Sequence, residues 1–193
     1  MLLAAGESVR MGTPKPLLQW QGTTLIEYQI AQLREAGVDD VVAVLGHRAG
    51  DIASLVDTTG ARAVINERYA EGRASSLRAG AGAIGADREV IVILSVDQPR
   101  PASVVRRLLA EHRSGITIPT HEGRRGHPVV LDASVLPELL KVTEETLGLR
   151  GVIARHEAEV HEVPFDSGFV LLDVNTPEEY EEARKSYASE VIT

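Results

Sequence analysis

The sequence predicts an α/β fold in which a mostly parallel sheet is flanked by helices. Short apolar runs alternate with segments of helical periodicity through the first half of the chain, a pattern typical of βαβ units. Some of these runs are apolar at every position, as expected for strands that are buried on both faces. The 193 residues contain no repeat, low-complexity stretch or linker. We therefore expect a single domain over residues 1–193.

The first half of the chain supplies the clearest strand and helix signals. Residues 2–5 form an apolar run that stops at Gly6. Thr24 and Glu27 have the spacing of a capping box, which predicts a helix that ends before Gly37. The elements that follow are predicted from apolar runs and periodicity: strand 41–45, helix 52–56, strand 63–66, a helix that begins near Ser75, and strand 89–94.

The second half of the chain contains shorter elements. Pro101 suits the first position of a helix whose apolar face includes Val104 and Leu108. Thr176 and Glu179 form a second capping box, which predicts the final helix. Between these helices we predict a strand at 115–119, a polar loop at 121–126, a strand at 126–131, a short helix at 135–141 that is interrupted at Pro137, and a last strand at 169–175.

The composition excludes several classes of protein. The net charge of −8 argues against a general nucleic-acid binder. No stretch approaches the roughly 20 apolar residues of a membrane span, and no basic segment with a cleavage site indicates a signal peptide. The absence of cysteine removes thiol catalysis, zinc-thiolate sites and disulfides. We expect a cytoplasmic protein that binds neither nucleic acid nor membrane.

The segment after the first strand has the composition of an anion-binding loop. Gly6 and Gly12 allow backbone N–H groups to approach a phosphate closely, and Arg10 and Lys15 supply positive charge. The loop is not a Walker A motif, because five residues separate the two glycines and a proline follows Lys15. From the residues alone, a nucleotide-binding loop and an ordinary strand-to-loop turn remain equally open.

Polar side chains at two predicted strand ends are candidate magnesium ligands. Asp97 follows strand 89–94, and ligands of parallel sheets bind beyond the carboxyl ends of the strands. Asp173 and Asn175 lie two positions apart in the last predicted strand, so we expect both side chains on one face. Turn-forming or capping roles remain the alternatives for these three side chains.

Three further polar side chains leave two interpretations open. Ser75 and Ser76 lie at a predicted helix start, where they could cap the helix or bind a phosphate. His127 precedes a proline and could be structural or functional. The sequence alone does not decide between these roles.

Several motifs resemble one known family. The opening L-A-A-G-x-S-x-R-M-G-x-x-K, residues 3–15, resembles the signature loop of the MobA-like NTP transferases, the nucleotidyltransferases that act on molybdenum cofactor. The segments 66–80, D-Q-P at 97–99, R-G-H-P-V at 125–129, 148–155 and D-V-N-T-P-E at 173–178 resemble further family motifs in the same order. Val96 stands where the family has glycine, and Leu149 stands where an acidic residue is usual.

The resemblance implies a Rossmann-like nucleotidyltransferase fold and assigns site residues. It places Lys15, Arg10 and Asp97 in catalysis, and Asp97, Asn175 and Asp173 at the metal. The resemblance assigns acceptor binding to Gly126, His127 and Arg150. It assigns nucleotide binding to Leu3, Ala4, Ala5, Gly6, Ser8, Arg10, Gly12, Lys15, Asn66, Ser75, Ser76 and Asp97.

The activity implied by the resemblance is the Mg²⁺-dependent transfer of CMP from CTP to molybdopterin-type cofactor, with release of pyrophosphate. The product could then be handed to a molybdoenzyme. Ala5 favours CTP, because cytidylyl relatives tend to have L-A-A-G where guanylyl relatives have L-A-G-G. The alternatives are a GTP-dependent enzyme, a nucleotidyltransferase for another small phosphorylated acceptor, a non-catalytic pterin carrier, and an interaction module.

Overall fold

An eight-stranded sheet forms the centre of the computed structural model, which describes residues 1–85 and 87–190. A separate two-stranded hairpin follows the opening loop. In chain order the strands are β1 (Leu2–Ala4), β2 (Gln19–Trp20), β3 (Thr23–Thr24), β4 (Val42–Leu45), β5 (Arg62–Ile65), β6 (Val90–Ser95), β7 (Ile116–His121), β8 (Arg124–Arg125), β9 (Val129–Asp132) and β10 (Val160–Pro164).

The helices lie between and after these strands. In chain order they are α1 (Leu25–Glu35), α2 (Ala49–Thr58), α3 (Arg73–Ala83), α4 (Ala102–Glu111), α5 (Leu136–Leu139), α6 (Gly148–Arg155) and α7 (Pro177–Glu190). The predicted domain 1–193 includes residue 86 and residues 191–193, which lie outside the described residues, and it stays a prediction. In the described part of the chain, no helix combines the length and the apolarity needed to cross a bilayer.

The main sheet has the strand order β10-β7-β9-β6-β1-β4-β5, with β8 paired to β7. β1 pairs in parallel with β4 and β6, β4 with β5, and β10 with β7. β9 runs antiparallel to both of its neighbours, β6 and β7. The predicted mainly parallel α/β fold is therefore confirmed, and the carboxyl ends of β1, β4 and β6 meet at one edge.

Both faces of the sheet are covered, which explains the continuous apolar runs. In β1, Leu2 and Ala4 pack into one core cluster while Leu3 packs into the other. β4 divides in the same way, because Leu45 joins the first cluster and Val44 the second. Strand side chains alternate between faces, so only an uninterrupted apolar strand can fill both clusters.

Local signals located most helix starts. The Thr24–Glu27 capping box is present at the start of α1, and Glu179 N–H donates to Thr176 Oγ1 at the start of α7. Pro101 differs from its prediction, since it is the extended N-cap of α4 and not its first helical residue. Pro137 lies in the first turn of α5 and so begins this helix instead of interrupting it.

The prediction of a last strand at 169–175 is wrong. Residues Gly168–Leu171 form a 3-10 helix, and the chain then continues without regular structure to α7. The Val170 carbonyl accepts from Arg100 Nη2 and from His127 N–H, and the Leu172 carbonyl accepts from Arg100 Nη1. Because a side chain and a loop use these carbonyls, they do not form a strand ladder. The strands β2, β3, β8 and β10 and the helix α6 had no clear sequence signal.

Arg100 is fully buried and organises this region. Its guanidinium donates to the carbonyls of Pro99, His127, Val170 and Leu172, each at 2.9 Å. Burial lowers the pKa of Arg100 to about 10, which still leaves it charged at neutral pH. The side chain thereby joins the tip of β6 to two segments from the second half of the chain.

We expect Arg100→Met to lower the free energy of unfolding by at least about 3 kcal/mol, because several buried carbonyls lose a charged donor. Urea denaturation measures this change. Arg113→Met is the matched control: its exposed side chain donates to the nearby carbonyls of Ala110 and His112, so a change within about 0.5 kcal/mol is expected. Equal stability of the two variants would contradict the role given to Arg100.

Candidate active site

The loop after β1 is fixed by its own serine. Ser8 adopts a left-handed conformation with φ of 56°, and its Oγ accepts from the backbone N–H of Lys15 at 2.9 Å. Ser8 O also accepts from Met11 N–H at 2.9 Å. The loop therefore returns to the sheet edge and presents the Lys15 side chain there.

The Lys15 side chain joins its own loop to two distant segments at this edge, those of Asp97 and Asn175. Its Nζ lies 2.8 Å from Asp97 Oδ2 and 2.8 Å from Asn175 Oδ1. The Lys15 side chain is 13% exposed and that of Asp97 is 26% exposed. Asp97 comes from the tip of β6, and its carbonyl accepts from Val174 N–H at 2.8 Å. That backbone bond holds the Asn175 segment in place.

The three predicted metal ligands do not act as one group. Asp97 and Asn175 share the Lys15 ammonium, whereas Asp173 Oδ1 accepts from Gln98 Nε2 at 2.9 Å. The expectation that Asp173 and Asn175 share one strand face loses its basis, because the segment is not a strand, and the two side chains have different partners. Within residues 1–85 and 87–190, no group of three or more His, Asp or Glu side chains could hold a metal ion.

A first pocket of about 390 Å³ opens beside Lys15. We call it the loop pocket. Nine of its residues were predicted to bind nucleotide and one, Asn175, to bind metal, whereas seven were not selected by the sequence analysis. The lining comprises Leu3, Ala4, Ala5, Gly6, Ser8, Val9, Arg10, Lys15, Pro16, Tyr69, Gly72, Arg73, Ser76, Ser95, Val96, Asp97 and Asn175.

The lining of the loop pocket does not include three of the predicted nucleotide-binding residues, all of which the structure describes: Gly12, Asn66 and Ser75. Asn66 is buried, and its Nδ2 donates to Ser75 Oγ at 2.8 Å and to Ser76 Oγ at 3.1 Å. Ser75 Oγ donates in turn to the Gly72 carbonyl at 2.8 Å. Asn66 and Ser75 thus support the start of α3, and only Ser76 reaches the loop pocket.

The start of α3 is capped by an acidic side chain that the sequence analysis missed. Glu144 Oε1 accepts from Ala74 N–H at 2.6 Å. Gly72 precedes the helix with φ of 108°, and a Cβ at this position would collide with the Glu144 carboxylate. Glycine is therefore favoured here by its conformation, and any larger residue would also displace the Glu144 side chain. The backbone N–H of Ala74, one of the groups at the helix start that could bind a phosphate, therefore already has Glu144 as its partner.

A second pocket of about 660 Å³ lies on the other side of Arg73. The three residues predicted to bind the acceptor, Gly126, His127 and Arg150, all line it. Its other walls are mainly aliphatic, with a few charged side chains at intervals. They comprise Ala74, Leu77, Ile118, Arg125, Val129, Glu144, Leu147, Gly148, Leu149, Ile153, Ala154 and Glu157.

Arg73 lines both pockets and is the main functional candidate that the sequence analysis missed. Its Nη2 donates to Ser95 Oγ at 2.6 Å, which holds the guanidinium at the end of β6. Because Arg73 is the first residue of α3, the positive end of the helix dipole lies beside its charge. The sequence did contain a signal for this residue, because Arg73 directly follows Gly72 at a predicted helix start, where a basic side chain could bind a phosphate.

His127 contacts the same strand tip from the side of the second pocket. Its Nδ1 lies 3.0 Å from Gln98 Nε2. Burial, followed by the nearby charges of Arg100 and Arg73, lowers the pKa of His127 to about 4. The imidazole is therefore neutral at physiological pH.

The fold and these two pockets define a class of protein. An α/β sheet presents a glycine-containing basic loop, a strand-tip carboxylate and two adjoining pockets at its carboxyl edge, which is the arrangement of an enzyme that brings a nucleotide to a second substrate. Residues 1–160 match the MobA-like NTP transferase domain. The chain belongs to this family and is a nucleotidyltransferase.

Curated relatives in several organisms share most of the chain. A nicotine blue oxidoreductase from Paenarthrobacter nicotinovorans is 35% identical over 160 residues, which cover 78% of each chain. A molybdenum cofactor guanylyltransferase from Xanthomonas euvesicatoria is 31% identical over 93% of this chain and 90% of its own. A molybdenum cofactor cytidylyltransferase from Escherichia coli is 22% identical over 97% of this chain and 95% of its own.

Solved structures share the fold over nearly the full length. A nucleotidyl transferase from Methanothermobacter thermautotroptrophicus superposes with a TM-score of 0.83 at 24% identity, covering 97% of this chain and 96% of that chain. Rv0371c from Mycobacterium tuberculosis, solved as a complex with manganese, superposes with a TM-score of 0.79 at 27% identity, covering 96% of each chain. The expected Rossmann-like nucleotidyltransferase fold is confirmed.

Proposed function

We propose that this nucleotidyltransferase transfers CMP from CTP to a molybdopterin-type molybdenum cofactor and releases pyrophosphate. The observation that carries the proposal is the meeting of Lys15, Asp97 and Asn175 at the edge of the loop pocket, with Arg73 between that pocket and the second one. Similarity to a molybdenum cofactor cytidylyltransferase over 97% of the chain supports the choice of substrates.

Asp97 and Asn175 fit a divalent cation of the Mg²⁺ type. A carboxylate oxygen and an amide oxygen already converge on one cation, the Lys15 ammonium, which stands in for a metal ion in this respect. Oxygen donors of this kind suit Mg²⁺. When bound, the metal would neutralise negative charge on the nucleotide phosphates. Asp173 is left out of this set, because its carboxylate is bonded to Gln98.

The chain's own residues account for the chemistry as positioning and electrostatics. A phosphate oxygen of the acceptor attacks the α-phosphorus of CTP, and the bond from that phosphorus to the bridging oxygen of the departing pyrophosphate breaks. Since the attacking phosphate is already anionic, no general base is needed. Lys15, Arg10 and Arg73 supply positive charge around the loop pocket, where charge develops on the phosphates.

The two pockets correspond to the two substrates. The loop pocket would hold the nucleotide, and the larger second pocket would hold the acceptor. Arg73 lies at their common boundary, where the acceptor phosphate must meet the α-phosphate. The aliphatic walls of the second pocket suit the ring system of a pterin, and its positive side chains suit the phosphate. A completed dinucleotide cofactor would then pass to a molybdoenzyme.

A second candidate function is the transfer of GMP from GTP. The guanylyltransferase relative is 31% identical over 93% of this chain, which favours this option, whereas Ala5 in the lining of the loop pocket favours CTP. The acceptor and the reaction geometry are the same for both nucleotides. The choice between them therefore concerns only the part of the loop pocket that contacts the base.

We expect CTP with Mg²⁺ to raise the melting temperature of the protein more than ATP, GTP or UTP, because Ala5 in the lining of the loop pocket favours CTP. Differential scanning fluorimetry makes this comparison. Addition of molybdopterin should then release pyrophosphate, measured by a coupled assay. Stabilisation by GTP alone would select the guanylyl function. Cofactor binding without pyrophosphate release would indicate a carrier, and no stabilisation by any nucleotide would contradict the proposal.

We expect Lys15→Met to lower kcat by about 10²- to 10³-fold, because one preorganised charge is removed from the reacting phosphates. Steady-state kinetics of pyrophosphate release measure this effect. The control is Lys141→Met, which removes an equal charge from an exposed position outside both pocket linings and should leave kcat unchanged. An unchanged kcat in Lys15→Met would remove Lys15 from the transition state.

A further inference from the structure

Gln98 makes a complete set of hydrogen bonds at the tip of β6. It is 3% exposed and follows Asp97 directly. Its Oε1 accepts from Ser95 N–H at 3.2 Å, and its Nε2 lies 2.9 Å from Asp173 Oδ1 and 3.0 Å from His127 Nδ1. Both amide hydrogens and the amide oxygen therefore have partners.

Two of these partners fix the orientation of the Gln98 amide. The backbone N–H of Ser95 can only donate, so it must face the amide oxygen. The carboxylate of Asp173 accepts, so it must face the amide NH₂. The two requirements agree, which leaves the second hydrogen of that NH₂ directed at His127.

The orientation of Gln98 in turn fixes the proton on His127. Nδ1 faces an N–H donor at 3.0 Å, so it must carry a lone pair and no hydrogen. The proton of the neutral ring is therefore on Nε2. The backbone of His127 is held as well, because its N–H donates to the Val170 carbonyl and its own carbonyl accepts from Arg100 Nε.

The charges around His127 favour the neutral ring. Burial is the largest effect, and the positive charges of Arg100, Arg73 and Arg150 act in the same direction, against the opposing effect of Asp97. Together they lower the pKa of His127 to about 4. The tautomer therefore persists across the pH range in which an ordinary histidine would titrate.

We propose that Gln98 is a positioning residue that holds His127 as its neutral Nε2–H tautomer, so that the second pocket presents a hydrogen-bond donor to an oxygen atom of the acceptor. The inference rests on the proposed function for the identity of that substrate. Among the described residues, no hydrogen bond occupies His127 Nε2, and His127 lines the second pocket. The site thus selects an acceptor with a carbonyl or phosphate oxygen at this point, and His127 does not act as a base.

Long-range ¹H–¹⁵N spectra of the uniformly ¹⁵N-labelled full chain report which ring nitrogen carries the proton. His127→Asn identifies the signals of this residue among the six histidines. We expect a protonated Nε2 and a bare Nδ1 that do not change between about pH 5.5 and pH 8. A protonated Nδ1, or titration of the ring within that range, would overturn the proposal without any need for a variant.

The double variant Gln98→Glu/Asp173→Asn exchanges donor and acceptor between these two positions. Their mutual hydrogen bond can still form, but the introduced carboxylate now accepts from His127, so the proton should move to Nδ1. Asp173→Asn alone is the control, because Gln98 keeps its orientation through Ser95 and the Nε2–H tautomer should persist. An Nδ1 that stays without a proton in the double variant would overturn the role of Gln98.

The kinetic consequence separates this inference from the proposed function. Relative to Asp173→Asn, the double variant should raise KM for molybdopterin by about tenfold, the scale of one hydrogen bond, and leave KM for CTP unchanged. An unchanged KM for molybdopterin despite a switched tautomer would overturn the role of His127 toward the acceptor. If no acceptor is nucleotidylated but the spectra show Nε2–H, the proposed function fails while the tautomer assignment stands.

Discussion

The contact of Lys15 Nζ with Asp97 and Asn175 is the interaction on which the site depends. It joins the opening loop, the tip of β6 and the segment before α7, which are far apart in the sequence. Each partner is held independently: Ser8 fixes the backbone of Lys15, and the Asp97 carbonyl fixes Val174 beside Asn175. Because the Lys15 side chain is largely shielded from water, this ion pair is screened less than a surface pair.

The same edge resolves the apparent conflict between an acidic protein and anionic substrates. The net charge of the chain is −8, yet the linings of the two pockets contain the basic side chains of Arg10, Lys15, Arg73 and Arg150. Arg100 adds a buried positive charge behind them, where it organises the carbonyls of the surrounding loops. Local arrangement, and not overall charge, therefore determines what the site can attract.

The sequence predicted features that depend on neighbouring residues and missed those that depend on distant ones. The capping box of α1 and the buried strands β4 and β6 follow from local pattern, and residues of the family motifs lie in both pocket linings. The segment 169–175 has a strand-like pattern, but its carbonyls bind Arg100, which no local signal reveals. Gln98 and Glu144 were missed for the same reason, because they hydrogen-bond to His127, Asp173 and Ala74, which lie about 30 or more residues away from them in the chain.

We infer that Asp97 and Asn175 form a cation site that Lys15 occupies in the free protein. Equilibrium binding of Mn²⁺ to the nucleotide-free chain, followed by electron paramagnetic resonance, tests this directly. Lys15→Met should bind Mn²⁺ more tightly than the wild type, because the competing ammonium is gone, and adding Asp97→Asn should abolish that gain. Equal affinity in the wild type and Lys15→Met, or a gain that survives Asp97→Asn, would contradict the claim.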